Sequence, residues 1–206
     1  GQLAASALTT GSSNVFIGDT VAFNSAITAS DCIAIGQNSM RSASAISGAN
    51  NIGIGKDTFR NLSSGLSNVA IGRESANKLT TGQTNAYVGA AAGYNNLTGD
   101  NNVGIGFQAL VAATVSSLTA VGSNALVSNT SGANNTAVGR SALAAVVTTS
   151  NNTALGYLAG NATTGGDTTA IGSNALALST GGNQNTAVGS NAMGSAIVTG
   201  GFNTAI

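Results

Sequence analysis

The chain has 206 residues, with 6 Lys+Arg against 6 Asp+Glu, no His, no Pro, no Trp and a single Cys, while Gly reaches 29. Without histidine and with so few carboxylates, acid/base pairs, nucleophile triads and metal-ligand sets have almost nothing to be built from, so neither an enzyme nor a metal or cofactor site is expected. A net charge of +0 supplies no basic field for nucleic acid or for a membrane surface, where binding rests on clustered Lys and Arg.

Leu, Ile, Val and Phe together number 45, thin for an ordinary globular core. Disorder goes with high net charge and low hydrophobicity, whereas this chain is neutral with a mean hydropathy of +0.23, so its low complexity points to repetition. Cys32 can form no internal disulfide and reads as a packed thiol. No charged amino-terminal region leads into an apolar stretch, and no signal or membrane span is visible.

The repeat begins at Phe16-Ile17-Gly18 and returns as Ala34-Ile35-Gly36, Gly53-Ile54-Gly55, Ala70-Ile71-Gly72, Tyr87-Val88-Gly89 and Gly104-Ile105-Gly106. It continues as Ala120-Val121-Gly122, Ala137-Val138-Gly139, Ala154-Leu155-Gly156, Ala170-Ile171-Gly172 and Ala187-Val188-Gly189, and Ala205-Ile206 opens a twelfth copy. Anchor glycines are spaced by 16 to 19 residues. Four positions before the anchor stands Asn14, Asn51, Asn68, Asn85, Asn102, Asn135, Asn152 or Asn185, with Asn203 in phase and Cys32, Leu118 and Thr168 as exceptions. Three positions after it the residue is small, from Val21 and Ser39 to Ala192, and the next is often large and apolar, as in Met40, Phe59, Leu110, Leu126, Leu143, Leu176 and Met193. Stretches such as Ser47-Gly48-Ala49-Asn50, Thr81-Gly82-Gln83-Thr84 and Thr180-Gly181-Gly182-Asn183 read as corners, with Gly and Asn supplying positive φ.

A period near 17 is too short for helical repeats, and the anchor segments alternate with a period of two. The expected fold is all-β: one repeat domain over residues 1–206, a parallel β-solenoid of about eleven to twelve coils of 16–19 residues. Two short strands and two turns are expected per coil. The anchor glycines and Asn51, Asn68, Asn85, Asn102, Asn135, Asn152 and Asn185 are expected to stack as structural ladders. Each coil would enclose one row of Ile or Val and one of Leu or Ala. The residue two before the anchor is Ala or Gly in nine of eleven copies, Phe16 and Tyr87 excepted, and on this expectation it faces outward, letting another chain approach closely, most simply in a trimer.

With these residues in view, the chain resembles the left-handed β-roll repeats of the YadA-like head of trimeric autotransporter adhesins, which carry an Asn-x-Ala-Ile-Gly signature. It is more similar still to a longer-coil form in phage and bacterial tail-fibre proteins, through runs such as Asn134-Asn135-Thr136-Ala137-Val138-Gly139-Arg140-Ser141-Ala142-Leu143, Asn152-Thr153-Ala154-Leu155-Gly156-Tyr157 and Asn185-Thr186-Ala187-Val188-Gly189-Ser190-Asn191-Ala192. The resemblance covers nearly the whole chain. It implies a homotrimeric shaft or head segment of a viral tail fibre, located in the virion and engaged in host attachment, with a host-surface glycan or protein met through a terminal region. The alternative it leaves open is the head of a trimeric adhesin on a bacterial cell surface. Coils of 16–19 residues exceed the autotransporter type, and no stalk or anchor of that family is visible, which favours the viral fibre. The start at Gly1 and the end inside a repeat suggest a fragment of a longer fibre whose caps were removed.

Other residues carry competing meanings. Lys56 and Arg73, each followed by an acid, Asp57 and Glu74, stack like charges that diagonal pairs would offset, either as a receptor patch or as a solvated ion-pair network. Arg41 and Arg60 share a column and could meet a sulfated or acidic glycan. Asp57 with Glu74 is the one carboxylate pair that could serve a depolymerase, though their cationic neighbours favour structure. Thr119, Thr136, Thr153, Thr169, Thr186 and Thr204 form a column that raises an ice-binding solenoid, set against a core or interface threonine. Gly53-Ile54-Gly55 and Gly104-Ile105-Gly106 lack a following helix and are not dinucleotide loops.

Overall fold

The computed structural model describes residues 3–6, 8–23, 26–195 and 197–206. One short strand forms per repeat, at the small-aliphatic segment preceding each anchor glycine. These are β1 (Val15–Ile17), β2 (Ile33–Ile35), β3 (Ile52–Ile54), β4 (Val69–Ile71), β5 (Ala86–Val88), β6 (Val103–Ile105), β7 (Thr119–Val121), β8 (Thr136–Val138), β9 (Thr153–Leu155), β10 (Thr169–Ile171), β11 (Thr186–Val188) and β12 (Thr204–Ala205). They pair in chain order into one twelve-stranded sheet, every pair parallel and in the register the repeat dictates, as in Ile52↔Val69, Gly53↔Ala70 and Ile54↔Ile71. At about 4.8 Å per strand the stack is roughly 50 Å long. The protein is a parallel β-solenoid of about eleven turns.

The expected second strand per coil is reduced, among the described residues, to the isolated bridges Leu8↔Ile27, Ile27↔Ile46 and Ser179↔Val198. The rest of each coil is a run of turns with left-handed residues at recurring places. In one coil these are Asn50, Asp57 and Phe59, at φ 60, 60 and 51°, around Gly55 at 133°. A chain that reverses hand every second residue cannot extend into a strand. Backbone hydrogen bonds between coils hold it instead, as in Asp57 N–H to Gln37 at 2.9 Å, Met40 N–H to Thr58 at 2.9 Å and Ala76 N–H to Ala92 at 2.9 Å.

The corner glycines follow expectation in part: Gly181 takes a positive φ of 108°, whereas Gly48 and Gly82 do not. Asn50 and Thr84 take the positive φ, at 60 and 55°. Gly82 is buried instead against the next coil, where a Cβ would lie 2.5 Å from the Gly99 carbonyl oxygen. Glycine is needed there for close stacking, not for its φ.

The core reverses the expected sidedness. Ala34, Ala70, Ala120, Ala137, Ala154, Ala170 and Ala187, two before the anchor, are 0% exposed and point into the coil. They meet the small column of Ala92, Ala109, Ala125, Ala142, Ala159 and Ala175 and the large one of Met40, Phe59, Leu110, Leu126, Leu143 and Leu176, all buried. The aliphatics on either side of each strand alanine point outward. The strand wall and the opposite wall nearly touch, as at Gly53, where a Cβ would lie 3.0 Å from Phe59, Ser39 and Thr58, and an Ile or Val row would overpack the space between.

Exceptions within the core balance in volume. Tyr87 is fully buried where other coils place Ala, and its ring occupies the space a side chain would need at Gly93 and Gly104. Phe59 likewise faces Gly53, where a Cβ would meet the ring at 3.0 Å. Each large insertion is matched by an adjacent glycine, which keeps the interior close-packed.

Candidate functional site

Three features could carry function: the outer face of the sheet, the asparagine ladder behind it and the cationic columns of the amino-terminal half.

The outer face consists of the two strand positions that flank the buried alanine. One column runs Val15, Ile33, Ile52, Val69, Ala86, Val103 and then Thr119, Thr136, Thr153, Thr169, Thr186 and Thr204. The other runs Ile17, Ile35, Ile54, Ile71, Val88, Ile105, Val121, Val138, Leu155, Ile171 and Val188. All are half-buried or exposed, with Ile17 at 56%, Ile105 at 41% and Leu155 at 50%. No charged residue interrupts either column. The threonines share this face with the aliphatics, which corrects the expectation that each coil encloses a row of Ile or Val. At about 10 Å by 50 Å the strip covers on the order of 500 Å², toward the upper end of the apolar patch found on a typical monomer.

Behind it lies the ladder. Asn51, Asn68, Asn85, Asn102, Asn135, Asn152 and Asn185 are all buried. Each Oδ1 in the central run accepts the backbone N–H of the residue one coil on: Asn51 from Asn68 at 3.0 Å, Asn68 from Asn85 at 3.0 Å, Asn85 from Asn102 at 2.9 Å. Each Nδ2 donates across to the corner column, Asn51 to the Gly65 carbonyl at 2.8 Å, Asn68 to Gly82 at 2.8 Å and Asn85 to Gly99 at 2.9 Å. The residues at the exceptions do not relay in this way. Leu118 receives its N–H partner from Asn102 at 2.9 Å but has no side-chain acceptor to pass on, the Thr168 hydroxyl turns to the Gly166 carbonyl at 3.3 Å, and the Cys32 thiol to the Ser30 carbonyl at 3.4 Å. The anchor glycines form the adjoining column, each N–H from Gly36 onward reaching back to the preceding strand, as Gly72 to Ile54 at 2.8 Å and Gly89 to Ile71 at 2.7 Å.

The charges pair within coils, not diagonally between them. Arg60 Nε lies 3.6 Å from Asp57 Oδ1, and Arg73 Nη1 lies 3.3 Å from Glu74 Oε1. Asp57 is nearly buried, 8% exposed, and accepts from Asn38 Nδ2 at 2.9 Å, so it is a structural acceptor and no part of a solvated network. Arg41 and Arg60 come together, one coil apart, at the mouth of a cleft. Lys56 stays exposed one position past its glycine.

Two buried groups are shifted. Burial pushes the Cys32 thiol up from its ordinary value. Burial likewise raises the Tyr87 phenol well above the usual tyrosine range, although Asn96 Nδ2 donates to its oxygen at 2.6 Å. Sequence reasoning missed the Asn96 contact, whose only signal was a polar residue at a position where the two preceding coils carry Leu62 and Leu79. Among the described residues no helix is long and apolar enough to cross a membrane. No protein-family model, no curated protein and no solved structure matches this chain.

Proposed function

We propose that the chain is a rigid shaft or head segment of a homotrimeric fibre, a viral tail fibre that contributes to host-surface attachment. The observation that carries self-association is the unbroken, charge-free outer face. Its two columns repeat with the coil, so copies lying parallel about a common axis would bury the same strip on each. The small-residue column, first expected to make that contact, lies inside the coil and cannot. The part played is mechanical: ladders and packed alanines resist unfolding, and three copies multiply weak surface contacts. No catalytic step and no cofactor is assigned to it. The assignment to a virion rests on the repeat's resemblance to long-coil tail fibres, and a bacterial surface adhesin head would present the same coil.

Sedimentation equilibrium at several concentrations tests self-association against the 19.7 kDa of one chain. A species of three chains that survives dilution supports the proposal, and a stable monomer overturns it. A second possibility then comes forward from one observation, the threonine column, half-buried or exposed, at about 4.8 Å repeat. A row of hydroxyls and methyls at that spacing could order water, which thermal hysteresis would measure.

A further inference from the structure

The cationic side of the amino-terminal half is independent of the outer face, five and six positions past the anchor glycine instead of one and three before it. Arg41 and Arg60 stand there one coil apart and line an open cleft of about 570 Å³ with Ser42, Ala43, Asn61 and Asn77. Like charges at a step of about 4.8 Å repel, and the protein does little to compensate them. Two guanidiniums carry roughly ten N–H donors, yet among the described residues only Arg41 Nη1 makes a hydrogen bond, to Asn38 Oδ1 at a long 3.4 Å. Arg60 meets one carboxylate, Asp57, through Nε at 3.6 Å, which leaves its terminal fork unused. Arg41 leans on the Phe23 ring at 6.0 Å. Glu74, the other nearby acid, is taken by Arg73 at 3.3 Å.

The polar groups around the forks suit an oxyanion on a hydroxylated ligand. The Ser42 oxygen accepts from the Ser44 N–H at 3.2 Å, so its own proton is free to donate. Asn61 Nδ2 donates to the Asn77 carbonyl at 3.0 Å, leaving its amide oxygen to accept from a hydroxyl. The track does not stop at the cleft: Asn61 also borders a shallower hollow with Lys78, Thr80 and Leu97, where Lys78 Nζ donates to Asn95 at 2.9 Å and lies 5.3 Å from the Tyr94 ring. Three successive coils thus present Arg41, Arg60 and Lys78, half of the chain's six Lys and Arg.

We propose that this cleft binds an acidic polysaccharide, its sulfate or carboxylate groups held by the Arg41 and Arg60 forks and its chain running toward Lys78. Bidentate guanidinium–oxyanion pairing is the interaction both groups share. The test is calorimetric titration of the 206-residue protein in about 0.15 M salt, near physiological ionic strength. The probes are heparin oligosaccharides for sulfate, oligogalacturonate for carboxylate and neutral dextran as control. Saturable binding of either acidic probe is expected, weakened about tenfold by Arg41→Gln and by Arg60→Gln, a loss of about 1.4 kcal/mol. Arg140→Gln, distant along the fibre and stacked on Tyr157 at 5.1 Å, should leave it unchanged. Binding of one probe alone names the anion. Absence of saturable binding, equal binding of dextran, or equal weakening by Arg140→Gln overturns the proposal. Circular dichroism checks that each variant keeps its coils. Should a glutamine variant unfold, Arg41→Lys and Arg60→Lys keep the charge but lose the fork, and undiminished binding in both would overturn bidentate pairing.

Discussion

Truncating Asn68 to alanine isolates the worth of one ladder rung. Its Nδ2 donates to Asn51 Oδ1 at 3.1 Å and to the Gly82 carbonyl at 2.8 Å, and its Oδ1 accepts from Asn85 N–H and Nδ2, each at 3.0 Å. After Asn68→Ala, Asn85 Nδ2 keeps the Gly99 carbonyl at 2.9 Å and Asn51 Oδ1 keeps the Asn68 N–H at 3.0 Å. The groups that lose their partner are the buried N–H of Asn85 and the carbonyl of Gly82. A buried group left unsatisfied costs about 1–3 kcal/mol, so the two together predict a loss of about 2–6 kcal/mol, to which the small cavity adds. Asn203→Ala serves as the control. Asn203 makes similar bonds, to Asn185 Oδ1 and the Gly200 carbonyl, each at 2.9 Å, but it is exposed, and its loss should stay under about 1 kcal/mol. Urea unfolding at one fixed protein concentration measures both, since self-association would make the midpoint concentration-dependent. Hydrogen exchange at the Asn85 amide gives a local readout. A cost for Asn68→Ala no greater than for Asn203→Ala, or an Asn85 amide as protected as before, would refute the idea that the side-chain relay holds the coils together.

Three further outcomes are expected. Ala137→Leu, inside the coil, should cost about 1–3 kcal/mol by overpacking, measured by chemical denaturation; an alanine facing outward would tolerate the change. Gly72→Ala should cost at least about 1–3 kcal/mol for its backbone conformation alone, because Gly72 holds φ +125° and a Cβ would lie 2.7 Å from the Gly89 carbonyl; an unchanged melting temperature would count against the stacked glycine column. For Tyr87, whose folded value lies above its ordinary 10.0, the contribution is fully present below that ordinary value. It is lost as pH rises from there toward the folded value, because the unfolded chain releases a proton that the folded one keeps, with a slope of up to about 1.4 kcal/mol per pH unit. In a Cys32→Ala background, which removes the thiol's parallel effect, Tyr87→Phe should flatten the alkaline limb of the stability curve, and an unchanged limb would show that the phenol is not the group responsible.

The period, the strand positions and the pairing register were legible because they are translational: residues one repeat apart must stack, whatever the coil looks like in section. The cross-section was not legible in the same way. A strand of three residues has one inward and two outward positions, or the reverse, and hydrophobicity favours putting Ile52 and Ile54 inside with Gly53 out. The structure does the opposite, because the coil wall opposite already brings Phe59 to within contact of Gly53. That thickness depends on the left-handed residues after the anchor, such as Asp57 and Phe59, and at the second of them, where Phe59, Leu126 and Met193 stand, nothing in the side chain announces a positive φ. Arg41 and Arg60 were visible as a shared column, whereas the cleft they line depends on how Ser42, Asn61 and Asn77 are placed around it, which the repeat does not encode.

The interruptions of the amide relay also bear on how the solenoid would come apart. Cys32, Leu118 and Thr168 divide it into an uninterrupted run from Asn51 to Asn102, a short run of Asn135 and Asn152, and a final pair of Asn185 and Asn203. In a linear array each coil leans only on its neighbours, so opening propagates until it meets a change in coupling strength. The boundaries at Leu118 and Thr168 are where such a change falls. Heat or pulling force would then release the solenoid in blocks, with the Asn51–Asn102 block the last to yield, as separate cooperative units of one continuous sheet.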